Sequence, residues 1–184
     1  MNASMKKPMN KIAFGFAALA ASTLLAAPAF AALKVGDKAP AFSIPVAKDG
    51  VVSTFSLKDA LKSGPVVVYF YPKAFTGGCS LEAHQFSEAI PEFQARHVSV
   101  VGVSTDDIDT LKKFSKETCQ GKFPVGADTK AVVTKAYDAQ MGTMNMSNRI
   151  SYVVGTDGKI AFVHDSGDAS THVSTLLKAV SAGK

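Results

Sequence analysis

Two short apolar runs stand out from a mixed chain: Val66-Val67-Val68-Tyr69-Phe70, and Val98 to Val103. Both are rich in β-branched residues and too short for helices, which predicts strands covered on both faces. Between them, from Ser80 to His97, Phe86, Ala89, Ile90 and Phe93 recur at helical spacing. That predicts an amphipathic helix kinked at Pro91, which lacks an N–H to donate. Upstream, Phe42 to Ile44 and Val51 to Phe55 flank the turn Lys48-Asp49-Gly50 and predict a hairpin. Ser56 can cap a short helix over Leu57 to Lys62 that stops at Gly64.

Downstream, Asp106-Asp107 begins a helix carrying Leu111 and Phe114 and ending near Cys119 to Gly121. Thr129 to Tyr137 predicts another helix. A second hairpin, Ile150 to Val154 and Lys159 to Val163, turns at Thr156-Asp157-Gly158, and Ser170 to Val180 closes the chain as a helix. Strands alternating with helices, with one hairpin early and one late, predict an α/β domain. A mixed central β-sheet would be flanked by helices.

The N-terminal segment has a different pattern. Lys6, Lys7 and Lys11 precede an apolar, alanine-rich run from Ile12 to Ala27, then Pro28 and Ala29-Phe30-Ala31. That order predicts a cleavable signal peptide over 1–31, leaving 32–184 as one domain, exported to the periplasm. The rival is an uncleaved anchor, since a membrane span needs roughly 20 residues; Ser22, Thr23, Pro28 and the A-x-A ending favour cleavage. The formal charge of +5 comes largely from these lysines, so it does not argue for nucleic acid. No second apolar span or run of like charges appears, so no membrane attachment is expected after cleavage.

The candidate chemistry lies in Tyr69-Phe70-Tyr71-Pro72-Lys73-Ala74-Phe75-Thr76-Gly77-Gly78-Cys79-Ser80-Leu81-Glu82. A cysteine in the first turn of a helix sits among unpaired N–H groups at the positive end of the dipole, which favours thiolate over thiol. The buried strand before it supplies a rigid platform, and Gly77-Gly78 let backbone approach a small ligand closely. Taken singly, each residue has a plainer account: Cys79 an inert core thiol, Thr76 a helix cap, Glu82 a favourable first-turn acid, Arg149 a surface charge. Arg96 and His97 suit a helix C-terminus.

The spacing P-x-x-x-T-x-x-C over Pro72, Thr76 and Cys79 resembles the peroxiredoxins. The longer string, with the opening V-G-D-K-A-P and the late R-I-S-Y-V-V-G-T-D-G-K-I, is most similar to their bacterioferritin-comigratory, or Q-type, group, from about Lys34 to Leu177. The resemblance implies a thioredoxin-like fold and a thiol peroxidase acting on hydrogen peroxide or organic hydroperoxides. It implies that Cys79 attacks the peroxide and becomes a sulfenic acid. Thr76 would hold the peroxide, Pro72 would close the loop, Arg149 would stabilise thiolate and leaving oxygen, and Glu82 would orient Arg149. No metal or organic cofactor is implied; the implied reductant is a thioredoxin-like or other thiol partner, and the length suits a monomer or weak dimer.

The chain departs from the Q-type pattern at His84, where many members carry a resolving cysteine. Cys119 is the remaining candidate, and two alternatives stay open: a one-cysteine enzyme reduced by an external thiol, and a permanent structural disulfide. A thiol–disulfide oxidoreductase needs Cys-x-x-Cys, but positions 76 and 82 are Thr and Glu; the Cys-x-x-x-Cys of copper-delivery relatives meets Ala83. Met141, Met144 and Met146 invite a copper(I) reading or a gap-filling one. A non-enzymatic exported binding protein is the remaining rival.

Overall fold

The computed structural model describes residues 1, 2 and 32–182; the expected signal peptide lies outside them, apart from its first two residues. Among the described residues no helix is long and apolar enough to cross a membrane. The strands are β1 (Ser43–Lys48), β2 (Val51–Ser56), β3 (Val66–Phe70), β4 (Ser99–Ser104), β5 (Val125–Ala127), β6 (Ile150–Val154) and β7 (Ile160–Asp165). The helices are α1 (Leu57–Ala60), α2 (Gly77–Gln94), α3 (Ile108–Glu117), α4 (Val132–Ala136) and α5 (His172–Ala182). They build one mixed sheet in the order β2-β1-β5-β4-β3-β6-β7, with β3, β4 and β5 parallel and their neighbours antiparallel.

The strand at the centre of the chemistry, β3, is buried at every position. Its side chains alternate between two cores, as a pleated strand requires. Val67, Tyr69 and then Tyr71 face a layer with Phe86, Leu111, Phe114 and Leu176 from α2, α3 and α5. Val66, Val68 and Phe70 face Leu57, Val133 and Tyr137 on the other side.

Several boundaries differ from the sequence reading. The first hairpin strand begins one residue later and runs on to Lys48, because all six residues of β1 pair with β2. Helix α2 starts at Gly77 rather than Ser80 and runs through Pro91 to Gln94. The Arg96 guanidinium donates to the Glu92 carbonyl at 2.7 Å, a C-terminal capping contact. Helix α4 is shorter than Thr129 to Tyr137: Asp128 accepts from the Val132 and Thr134 N–H groups at 2.8 and 2.7 Å, which delays the helix until after Ala131. Strand β5 has no counterpart in the sequence reading.

Gly102, on β4, pairs with Tyr69 across the ladder. A Cβ there would lie 2.7 Å from the Tyr69 ring, which stacks on Phe86 at a centroid distance of 4.2 Å and on Tyr71 at 5.4 Å. The ring has nowhere to retreat. Gly102→Ala is therefore expected to destabilise the fold by about 1–3 kcal/mol through overpacking, read as a lowered urea midpoint at unchanged slope.

Candidate active site

The chain leaves β3 at Tyr71, whose N–H donates to the Val103 carbonyl at 3.2 Å and whose carbonyl accepts from the Ser147 hydroxyl at 2.7 Å. Pro72 follows without a donor. The loop is then pinned from the end of β4, where Asp106 accepts from the Ala74 N–H at 2.8 Å and from the Ser104 hydroxyl at 2.9 Å. Phe75 holds a left-handed backbone, φ 63°, with its ring edge-on to Phe114. That conformation costs a non-glycine residue about 1 kcal/mol or more.

Thr76 is the N-cap of α2, but its side chain does not cap the helix. Its hydroxyl donates instead to the Lys73 carbonyl at 3.0 Å, and the exposed oxygen keeps lone pairs for another donor. The first helical bond runs from the Ser80 N–H to the Thr76 carbonyl at 2.8 Å. Cys79 is thus the third helical residue, and the N–H groups of Gly77, Gly78 and Cys79 precede the ladder.

Arg149, immediately before β6, reaches back to this turn. Its Nη2 lies 3.4 Å from the Cys79 Sγ, and its Nη1 donates to Glu82 Oε2. A Cβ at position 78 would come within 3.2 Å of Nη2, so Gly78 leaves the guanidinium its room. The structure therefore brings Pro72, Thr76, Cys79, Glu82 and Arg149 to one end of the sheet. Burial works against the Arg149 charge, but the Glu82 carboxylate and the Cys79 sulfur more than offset it and hold the guanidinium charged.

Cys79 is almost fully buried at 1 % exposure, and Cys119 is buried at 0 %. Both are free thiols in the same apolar layer. Burial pushes the Cys119 thiol well above its ordinary range, so it is protonated at neutral pH. Its carbonyl accepts from the Ser87 hydroxyl at 2.8 Å; Ser87 stands about 12 Å along α2 from Cys79. Left-handed Gln120 and Gly121 follow it.

His84 sits on the outer side of α2, with Nδ1 3.2 Å from Gln120 Nε2 and Nε2 3.3 Å from Glu88 Oε1. That is a solvated helix histidine. Met141, Met144 and Met146 lie in a tight turn closed by a bond from the Met141 N–H to the Met146 carbonyl at 2.9 Å. Met144 is exposed, Met141 and Met146 half-buried.

Four supporting residues escaped the sequence reading: Asp106, Ser147, Ser151 and His172. The sequence pattern places Asp106 with Asp107 at a helix start, a role that belongs to Asp107 alone. His172 was one residue inside an amphipathic helix. It is fully buried, 3.5 Å through Nδ1 from Glu82 Oε1.

Burial shifts the two members of this pair in opposite directions. It pushes Glu82 up to about 7 in spite of Arg149, and His172 down to about 4. The folded chain keeps a proton on Glu82 that the unfolded chain releases near 4.5. That contribution to stability is full below 4.5 and is lost as pH rises through 7. The unfolded chain takes a proton on histidine near 6.5 that folded His172 refuses down to about 4; that contribution is full above 6.5 and is lost as pH falls through 4. Between 4.5 and 6.5 the two slopes oppose each other. Urea midpoints measured across this window should rise with pH in Glu82→Gln and fall with pH in His172→Asn, relative to the unmodified chain. Parallel curves for all three proteins would contradict the assignment.

The AhpC/TSA family pattern matches residues 35–163. The chain is 33 % identical over 159 residues to peroxiredoxin Bcp of Escherichia coli K12, covering 79 % of this chain and 94 % of that one. Peroxidoxin BcpB of Mycobacterium tuberculosis superposes with a TM-score of 0.76 at 29 % identity, over 83 % of this chain and 99 % of its own. The bacterioferritin comigratory protein of Xanthomonas campestris, whose structure is described in terms of alkyl peroxide reduction activity, superposes at 0.67 and 23 % identity. That match covers 76 % of this chain and 91 % of that one.

Proposed function

The chain belongs to the AhpC/TSA family, as a thioredoxin-fold peroxiredoxin and thiol peroxidase, and on that premise we propose that Cys79 is its peroxidatic thiol and Cys119 its resolving one. The observation that carries the first half is the Arg149 guanidinium set against the Cys79 sulfur at the head of α2. The thiolate attacks the outer oxygen of the hydroperoxide. An S–O bond forms as the O–O bond breaks, sulfur loses two electrons, and the departing oxygen takes a proton to leave as water or an alcohol. Thr76, with its hydrogen on Lys73, accepts the proton-bearing end of the peroxide, and Arg149 donates to the oxygen that gains charge.

Resolution then condenses the Cys79 sulfenic acid with Cys119 to a disulfide and water. A bridge needs Cα atoms within roughly 7 Å and a thiolate on Cys119, which burial disfavours. The first turn of α2 or the Gln120-Gly121 segment must therefore open before the bond forms. A thioredoxin-like or other dithiol reductant returns both thiols. Hydrogen peroxide and organic hydroperoxides both fit this chemistry. With residues 1–31 removed on export, the enzyme would work in the periplasm as a monomer or weak dimer.

The test is to give the reduced protein one equivalent of hydroperoxide and follow peroxide loss together with intact mass. Wild type should lose both thiols as an internal disulfide, and Cys119→Ser should gain one oxygen on Cys79. No peroxide loss with both thiols intact would refute the peroxidatic assignment. Consumption with Cys119 still free would make this a one-cysteine enzyme. Fractionation of expressing cells, with sequencing of the protein's N-terminus, tests export; a first residue of Ala32 is expected.

A further inference from the structure

Glu82 is fully buried, yet one of its carboxyl oxygens has no hydrogen-bond partner. Oε2 accepts from Arg149, while Oε1 faces His172 Nδ1 at 3.5 Å, beyond hydrogen-bond contact. His172 opens α5 and is itself held from two sides. Its Nε2 lies 2.9 Å from the Ser166 carbonyl, and its Nδ1 lies 2.7 Å from the Ser151 hydroxyl on β6.

These partners settle the proton positions. A carbonyl only accepts, so Nε2 carries the hydrogen. Burial keeps the ring neutral, so Nδ1 is a lone pair and the Ser151 hydroxyl donates to it. The edge turned to Glu82 is thus an acceptor whose one lone pair Ser151 already takes, so Oε1 packs against it without a hydrogen bond. The other charged or titratable groups around the pair include Arg149, the Cys79 sulfur, the buried Tyr69 phenol, His164, whose ring centroid is 4.5 Å from that of His172, and Asp168 before α5.

We propose that His172 is a positioning residue for the peroxidatic centre: with Ser151 it backs the open side of the Glu82 carboxyl group, and through Glu82 it sets how Arg149 is presented to Cys79. The chain of contacts is continuous from the loop after β7 to the sulfur. Ser166 and Ser151 orient the imidazole, the imidazole limits rotation of Glu82, Glu82 holds Nη1, and Nη2 is left on Sγ. Gly78, having no Cβ, leaves Nη2 the room to reach the sulfur. Without His172 the carboxyl group can turn, and the second N–H of Arg149 loses its aim.

The inference rests on Cys79 being the attacking sulfur, and the test separates the two. Second-order rate constants for peroxide consumption are compared in wild type, His172→Leu, His172→Asn, Glu82→Gln and the Glu82→Gln/His172→Leu double variant, with thermal unfolding of each as the check on folding. His172→Leu is expected to slow consumption about tenfold, equivalent to about 1.4 kcal/mol of lost transition-state stabilisation, and His172→Asn by no more than about threefold. In the Glu82→Gln background His172→Leu should cost less than about twofold, because its effect passes through Glu82. The rate profile across pH 7, where Glu82 titrates, should shift in His172→Leu.

Equal loss in both backgrounds, or an unchanged rate and profile in a folded His172→Leu, would overturn the proposal. Should His172→Leu fail to fold, Ser151→Ala carries the same test, and a wild-type rate and profile there would overturn it. The pH profile of Cys79 alkylation by iodoacetamide, read by mass, reports on the sulfur whether or not peroxide is consumed. A chain without peroxidase activity would sink the assignment of Cys79, while the alkylation comparison would still decide the role of His172.

Discussion

Cys79→Ser is expected to consume hydroperoxide no faster than the uncatalysed reaction, whereas Cys119→Ser should complete its first turnover at the wild-type rate. Serine preserves the size of the side chain and its place at the third position of α2. What it cannot supply is a nucleophilic anion near neutral pH or a sulfur able to accept oxygen. Cys119 cannot substitute, being buried and protonated on the far side of Ser87. Stopped-flow traces of the reduced proteins check both statements. A rapid first phase surviving in Cys79→Ser would move the chemistry elsewhere. A slow first phase in Cys119→Ser would mean that Cys119 supports the attack as well as its aftermath.

The second large effect is expected at Arg149. Its guanidinium serves two partners with separate N–H groups, Glu82 through Nη1 and the Cys79 sulfur through Nη2. Arg149→Met removes both contacts, and the loss of such a preorganised donor lowers rates by about 10²–10³-fold. Arg149→Lys keeps a charge but, as a single point, cannot hold both partners at once, and should fall between Met and wild type. Stability should respond separately from rate. Without Arg149 the buried Glu82, already pushed up to about 7 beside it, keeps its proton to higher pH. Arg149→Met should therefore lose little stability to charge burial at neutral pH and unfold more easily than wild type as pH rises above 7. Adding Glu82→Gln to Arg149→Met should recover stability above pH 7 and leave the rate low. Recovery of both together would mean that Arg149 acts only by holding the fold.

Much of this could be read from residues near one another in the chain. The run Val66 to Phe70 declared a buried strand, and the motif from Pro72 to Cys79 declared the head of a helix. Both follow from local pattern and backbone chemistry. Strand β5 did not declare itself. Val125-Gly126-Ala127 is too short to show a period, and it exists because β4 and β1 offer it edges on either side. Glu82 and Arg149 came from the family resemblance, being 67 positions apart. His172 and Ser151 had no such signal. A histidine in an amphipathic helix and a serine in a buried strand are ordinary alone, and their meaning arises where α5 packs over β6. Asp106 is a related case: two adjacent aspartates fit a helix start, yet only Asp107 caps α3 while Asp106 ties down the loop before Cys79.

The depth of the two sulfurs has a consequence for traffic between this protein and its reductant. With both thiols folded away, the reduced chain offers a thiol partner almost no sulfur to touch. On the proposed cycle the disulfide forms only after part of the chain has opened, so the oxidised form alone would present a docking face. Returning electrons would let that face fold away and eject the partner. A large pool of already reduced enzyme would then leave the reductant free for the molecules that still need it, and turnover would escape inhibition by its own product.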